Sequence, residues 1–283
     1  MMRGDPSPGG RTSAAASNPW EPLVPVVMAR TRFMAQPERF EVDLLSGSIR
    51  CGGKTFGMNE LQWDTPTRGA VYGVLMNYRG TVEALNTVGA ASARPSSPVL
   101  FVKPANTWIG YGDVIPIPED VACVEAGAAL GIVMGKTACR VAAVDALNFV
   151  AGYTIVNDVC EPHRNYDRPA TRQRCRDGFC AIGPWVAAKR SIPSPDSLAL
   201  RVLVNGELRC ENTTANMVRS VAKLIADVTE FVTLFAGDVL HTGAPENAPT
   251  MSAGDRVRIE FDGIGALENR VIAERELVTG GSR

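Results

Sequence analysis

Residues 123–135 read CVEAGAALGIVMG and residues 154–158 read TIVND. Both are short, nearly continuous apolar runs, and the second ends in the carboxylate of Asp158. Runs of this length without polar alternation predict strands buried on both faces. The neighbouring segments extend the pattern. AVYGVLM at 70–76 is an apolar strand that ends at Asn77 to Arg79, and VLFVKP at 99–104 is a strand that delivers Lys103. LALRVLVNGELRC at 198–210 is a β-hairpin turning at Asn205-Gly206. GDVLHTGAP at 237–245 and GDRVRIEFDGIG at 254–265 are strand-and-turn segments. Helices are fewer. AVDALNFVAGY at 143–153 has apolar spacing near the helical period and a closing Gly, which predicts a helix. Residues 215–234 predict a longer amphipathic helix with Val218, Val221, Leu224, Ile225 and Val228 on its core face. Two helices among many strands make the class α+β rather than a doubly wound parallel sheet.

Outward from these strands the chain divides in three. Residues 1–27, rich in Gly, Pro, Ser and Arg early on, read as a disordered tail. Residues 28–68 read as a small N-terminal β-rich lobe, with FEVDLL at 40–45 and SIRC at 48–51 as strands and a linker at Thr65 to Gly69. Residues 69–283 form the main domain. Its Gly/Ala/Ser/Pro-rich stretch at 89–98 has the composition of a loop that moves over a site.

With 45% apolar residues in 283, disorder of the whole chain is excluded. The 29 basic and 30 acidic residues leave a net charge of −1, so there is no field for nucleic acid or an anionic membrane. A near-neutral surface tolerates self-association. No apolar stretch is long enough to span a membrane and no run resembles a signal peptide, which together predict a cytoplasmic protein. The seven cysteines then read as reduced thiols. Cys175 and Cys180 are the closest pair, and with only His163 and His241 to join them they make no structural zinc site.

Polar side chains that end or follow apolar strands are the candidates for chemistry: Asn77, Arg79, Lys103, Asp158, Tyr166, Arg168, Arg174, Arg176, Asp177 and Thr242. His241, at a strand end, is the histidine better placed to face a cleft. Each also has an ordinary reading. Asp158 can cap a strand end, Arg79 can pair with Glu83 on a helix, and Arg174, Arg176 and Asp177 can form a salt-bridged loop. Arg forks suit carboxylates and a Lys point charge suits a developing enolate, so the set fits an oxo-diacid. Asp158 leads as proton carrier, ahead of Tyr166 and His163.

The ordered segments YGVLMNYR, VLFVKPANTWIG, GIVMGKTA, VAGYTIVNDV, VNGEL, LFAGDVLHTGAP and GDRVRIEFDGIGALEN resemble the fumarylacetoacetate hydrolase family over roughly three quarters of the chain. YDRPATRQRCRDGFCAIG at 166–183 and LGIVMGKTACRV at 130–141 are most similar to one branch, the amino-terminal halves of fused isomerase/decarboxylases of homoprotocatechuate catabolism. The resemblance implies a strand-dominated mixed β-sandwich roll. It implies decarboxylation or double-bond migration of di- or tricarboxylates with a 2-oxo-3-ene unit, without a nucleotide or organic cofactor. It assigns catalysis to Lys103, Asp158 and Arg174, and substrate binding to Asn77, Arg79, Tyr166, Arg168, Arg176 and Thr242. It also implies Mg²⁺ or Mn²⁺ on a Glu-x-Glu pair plus Asp158, and paired domains: a homodimer, or a heteromer with a metal-bearing paralogue.

The sequence departs from the family pattern in three places. Gly127 and Ala129 stand where the Glu pair belongs, leaving Glu125 with Asp158 as the remaining ligands. Arg79 to Ala84 lacks the His of the family's His-Glu dyad. Arg174 replaces the active-site Lys, and Arg keeps the charge but stays protonated. Three functions follow: a decarboxylase or isomerase, a degenerate subunit that pairs with a metal-bearing relative, and an acylpyruvate-type C–C hydrolase. The last is disfavoured, since water activation relies on the dyad and the metal.

Overall fold

The computed structural model describes residues 26–31, 38–43, 48–87, 96–163 and 169–279. Four strands come first, β1 (Val26–Ala29), β2 (Glu38–Asp43), β3 (Ser48–Cys51) and β4 (Lys54–Gly57). Then follow β5 (Val71–Leu75), α1 (Arg79–Thr87), β6 (Val99–Lys103), β7 (Trp108–Ile109), β8 (Val114–Ile117), β9 (Val124–Glu125), β10 (Ala128–Met134) and β11 (Val150–Asp158). The remainder holds α2 (Thr171–Arg174), β12 (Cys180–Ala188), β13 (Ala199–Val204), β14 (Glu207–Thr213), α3 (Val221–Thr229), β15 (Val239–His241), β16 (Thr250–Met251), β17 (Arg256–Phe261), β18 (Gly265–Ala273) and α4 (Arg275–Thr279).

The strands form two principal mixed sheets. The larger has 11 strands in the order β4-β3-β2-β1-β12-β11-β10-β15-β5-β6, with β7 paired to β12. The smaller runs β14-β13-β17-β18-β8, and β16 pairs with β9 separately. Its sequence explains the centre of the larger sheet. Every residue of β10 is buried, so this strand has no solvent face and its apolar run needs no alternation. By contrast β13 and β17 alternate, with Leu200, Val202, Val204, Val257, Ile259 and Phe261 inward. Those side chains meet Leu130, Ile132, Tyr153 and Ile155 of the larger sheet in one core, which also takes Val221, Leu224, Ile225 and Val228 of α3. The β13–β14 hairpin turns at Asn205 (φ 54°) and Gly206 (φ 82°), the left-handed pair that an Asn-Gly turn supplies.

β1 to β4 form an antiparallel meander whose first strand bonds β12, with Val27 opposite Ala187 and Ala29 opposite Trp185. Phe40, Trp63 and Trp185 pack beneath it. Residues 1–25 of the expected tail lie outside the described residues, and Val26 and Val27 already belong to β1. The Thr65–Gly69 segment is pinned rather than loose. Thr65 and Thr67 are buried, the Thr67 hydroxyl donates to Gly237 O, and Ala70 N donates to Asp238 Oδ1 at 2.8 Å.

Three expectations about elements change. The helix expected at 143–153 is one 3₁₀ turn, Ala146–Phe149, followed directly by β11. The run from Val150 to Val156 is rich in β-branched and aromatic residues (Val150, Tyr153, Thr154, Ile155, Val156), and partners on both sides take it into the sheet. The strand expected at 123–135 is two strands, broken at Ala126-Gly127. The long helix at 215–234 shortens to α3, because Ser220 caps it by accepting from Lys223 N, while Val218 N is drawn to Asn77 O. Val218 therefore precedes the helix and is only half-buried. Most of the loop expected at 89–98 lies outside the described residues.

Candidate functional site

Three elements deliver charge to one end of the large sheet: β6 ends in Lys103, β11 ends in Asp158 and α2 ends in Arg174. Lys103 Nζ lies 2.7 Å from Asp158 Oδ1, and Arg174 Nη1 lies 2.5 Å from Asp158 Oδ2. Lys103 is fully buried and Asp158 is 4% exposed. Burial alone would push the Asp158 carboxyl up, but the Arg174 guanidinium, then the Lys103 ammonium, hold it well below the usual carboxylate range. Asp158 is therefore ionised with both oxygens engaged.

Lys103 is committed further. Its ammonium donates to Val159 O at 2.9 Å, Arg174 O at 2.7 Å and Phe179 O at 2.8 Å. Those three carbonyls take its three N–H groups, and Asp158 Oδ1 is held as an ion pair rather than by a further hydrogen bond. Sequence reasoning expected Lys103 to face an enolate; the geometry instead makes it the rivet that fixes the end of β11, the end of α2 and the turn at Gly178. Arg174 differs. Its guanidinium lies over the Phe101 ring, 4.9 Å from the centroid, and its Nε has no hydrogen-bond partner.

His241 completes the cluster. It is fully buried, its ring stands edge-on to Phe101 at 5.4 Å, and its Nδ1 accepts from Gly243 N at 3.3 Å. That bond places the proton on Nε2, which has no partner. Burial, with smaller effects of Lys103 and Arg174 against Asp158, lowers its pKa to about 4, so the imidazole is neutral. Gly73 makes room for this arrangement: a Cβ there would overlap both Phe101 Cζ and His241 Nε2.

Glu125 lies on the same ladder. Asp158 N donates to Gly127 O at 2.8 Å and Glu125 N to Cys160 O at 2.8 Å, continuing the β10–β11 register in which Ala128 faces Asn157. Glu125 is thus the diagonal neighbour of Asp158 on one face. Burial raises its pKa, Arg174 and His163 oppose that, and Asp158 adds to it.

The remaining sequence candidates are placed as follows. Asn77 is a clamp: Nδ2 donates to Thr242 O at 3.1 Å and Oδ1 accepts from Arg219 N at 3.0 Å. Arg79 is exposed and donates to Ala215 O at 3.1 Å, so it makes no pair with Glu83. Arg176 pairs with Glu161 and, at 3.8 Å, with Asp120. Thr242 is fully buried, but its hydroxyl neighbours Tyr78 rather than Asp158. Asp177 accepts from Asn106 Nδ2 at 2.7 Å in a turn. Tyr166 and Arg168 lie outside the described residues. Phe101 and Gly73 were missed, although two signals pointed to them. Phe101 is two residues before Lys103 and so shares its face, and a glycine inside a strand marks a close approach. A pocket of about 400 Å³, lined by Met28, Arg68, Val133, Val186 and Gly237, sits at the far end of β10 and holds none of the site residues.

The donor set does not fit a divalent cation. Gly127 and Ala129 offer no ligand, and a Cβ at Gly127 would overlap Asp158 O. Both Asp158 oxygens already face protein cations. Among the described residues, no three His, Cys, Asp or Glu side chains gather to hold a metal. None of the seven cysteines is in a disulfide.

Comparison with known proteins extends the picture. The family model described as fumarylacetoacetate (FAA) hydrolase C-terminal matches residues 70–272. The 4-hydroxyphenylacetate degradation bifunctional isomerase/decarboxylase of Escherichia coli is 38% identical over 215 residues, 75% of this chain and 49% of that protein. The chain spans about half the length of the curated relatives it matches first. Among solved structures, 2-hydroxyhepta-2,4-diene-1,7-dioate isomerase from Mycobacterium marinum aligns with a TM-score of 0.73 at 25% identity, covering 89% of this chain and 99% of that one. Maleylpyruvate hydrolase from Sphingobium sp. SYK-6, in complex with manganese (II) and pyruvate, aligns at 0.66 and 25% identity, covering 78% of this chain and 77% of that one.

Proposed function

The chain belongs to the fumarylacetoacetate hydrolase family, and from that premise we propose that it is a decarboxylase and/or isomerase of 2-oxo-alkenedioates in aromatic-compound catabolism. Substrates of the 5-carboxymethyl-2-oxo-hex-3-ene-1,7-dioate and 2-hydroxyhepta-2,4-diene-1,7-dioate type carry the matching charge. The observation that carries the reading is the meeting of Lys103 and Arg174 on the single carboxylate of Asp158. Two cations on one anion leave a surplus positive charge, aimed through Arg174.

Decarboxylation breaks the bond to one carboxylate and releases CO₂. The electron pair moves through the conjugated double bond to the 2-oxo oxygen, which becomes an enolate and then takes a proton. Arg174 stabilises that oxygen as charge develops. Lys103 acts through Asp158, which holds the guanidinium in place. Isomerisation moves a proton from one carbon of the conjugated chain to another. Asp158, ionised and doubly paired, is a poor carrier, so Glu125 takes that role. Its carboxyl is raised by burial and lies beside Arg174.

The test follows double-bond migration by ultraviolet absorbance. Glu125→Gln is expected to slow it on the order of a hundredfold with the fold retained. An unchanged rate removes Glu125 from the mechanism.

A second reading has its own support. Gly127 and Ala129 in place of ligands, together with coverage of about half of the two-activity relatives, fit a non-catalytic subunit that pairs with a metal-bearing paralogue. Turnover that appears only on mixing with such a paralogue selects this reading.

A further inference from the structure

Asp158 has two oxygens, and in this chain both are occupied by protein cations where the family pattern would place a metal ion. We propose that Arg174, seated by Asp158 and Lys103, replaces the divalent cation, so that the site binds the 2-oxo-carboxylate end of its ligand through the N–H groups of Arg174 and His241 alone. The inference rests on the substrate class proposed above and concerns how that substrate is held.

Four observations converge. The first is the seat: Asp158 fixes Nη1 at 2.5 Å, and Lys103 fixes Asp158 at 2.7 Å. The second is spare donor capacity. Arg174 Nε and the fully buried His241 Nε2 are both without partners, and both groups adjoin the Phe101 ring. Unpaired buried N–H groups are costly, and an oxyanion satisfies both. The third is charge: Lys103 and Arg174 against Asp158 leave one positive charge for a carboxylate, with a half-buried Glu125 at the margin. The fourth is space. The Cβ of any residue at Gly127 would overlap the Asp158 carbonyl, so the position that would carry a metal-binding glutamate is closed by backbone.

A guanidinium and a divalent ion are not equivalent solutions. The ion draws a carbonyl and a carboxylate into one chelate through oxygen, and is lost to chelators. The guanidinium offers directed N–H groups, stays charged at every working pH and cannot be removed by a chelator.

Oxalate, a small dianion with the oxygen spacing of a 2-oxo acid, is the probe. Isothermal titration calorimetry on the full chain would be run in excess EDTA, then in excess Mg²⁺, then in excess Mn²⁺. Because Mg²⁺ and Mn²⁺ themselves chelate oxalate, each titration is referred to the free oxalate and to a protein-free blank, and the expected result is then one dissociation constant in all three, within about twofold. Arg174→Lys keeps the charge but loses the fork, and should weaken oxalate by about tenfold or more. The wild-type titrations need no variant to fold. Binding that appears only with Mg²⁺ or Mn²⁺, or no binding in any buffer, overturns the proposal. Oxalate binding in EDTA without turnover of any oxo-alkenedioate sinks the activity reading and leaves this one standing. Turnover and oxalate binding that both need metal do the reverse.

Discussion

The Asp158 cluster at the end of β11 and the charged ladder across β13, β17 and β18 use the same chemistry in opposite surroundings. In the ladder, Arg201 meets Glu260 and Asp262 at 3.3 and 3.1 Å, while Arg258 meets Glu260 at 2.7 Å and Glu268 at 3.5 Å. Those arginine side chains are 39% and 41% exposed, against 0% for Lys103 and 17% for Arg174. Exposed pairs gain little, because water and salt screen them and both side chains lose freedom. Buried pairs are different in kind. Their net contribution to stability is modest, but removing one partner strands a charge in a medium that cannot solvate it. The ladder dresses the outer face of a sheet. The cluster fixes the geometry of a site.

The largest effect should follow Lys103→Met, which keeps most of the volume, leaves Asp158 Oδ1 without its counter-charge and leaves three carbonyls without their donor. Urea unfolding should show a loss of about 3–5 kcal/mol. A loss as small as that of a surface pair would mean that the cluster is solvated and the contrast is false.

Next comes pH, read through His241. Burial lowers its folded pKa to about 4 from 6.5, so the unfolded chain binds the proton more readily. This contribution to stability is complete above the unfolded pKa and is lost as pH falls through about 4, on the order of 3 kcal/mol in all. In His241→Gln, which cannot titrate, the unfolding midpoint should change less between pH 7 and pH 4 than in the wild type. Equal slopes would place a solvated imidazole at the site.

The smallest effect is expected from Arg201→Ala, under about 1 kcal/mol in the same urea experiment. A loss matching that of Lys103→Met would erase the distinction between the two regions.

Part of the fold and of the cluster was legible in the sequence, and the charged ladder was not, for identifiable reasons. The buried strand β10 and the Asn205-Gly206 hairpin follow from local rules that tertiary context did not override. Residues 143–153 misled because Leu147, Val150 and Ala151 imitate helical spacing, while pairing with β10 and β12 decides the outcome. The meeting of Lys103, Asp158 and Arg174 was anticipated from their places at strand ends and in motifs. Their division of labour was not, since three carbonyls around one ammonium come from segments 56 to 76 residues away. Thr242 shows the opposite failure. It is adjacent to His241 in sequence, yet its hydroxyl neighbours Tyr78 while His241 joins the Asp158 cluster.

We propose that this sheet end is a working site whose positive charge comes from the protein. The most direct test follows CO₂ release from 5-carboxymethyl-2-oxo-hex-3-ene-1,7-dioate by the purified chain in excess EDTA. Release is expected at a rate that added Mg²⁺ or Mn²⁺ does not raise, falling on the order of a hundredfold in Arg174→Met. Silence in EDTA, with release restored by Mg²⁺, Mn²⁺ or a metal-bearing paralogue, would contradict this proposal.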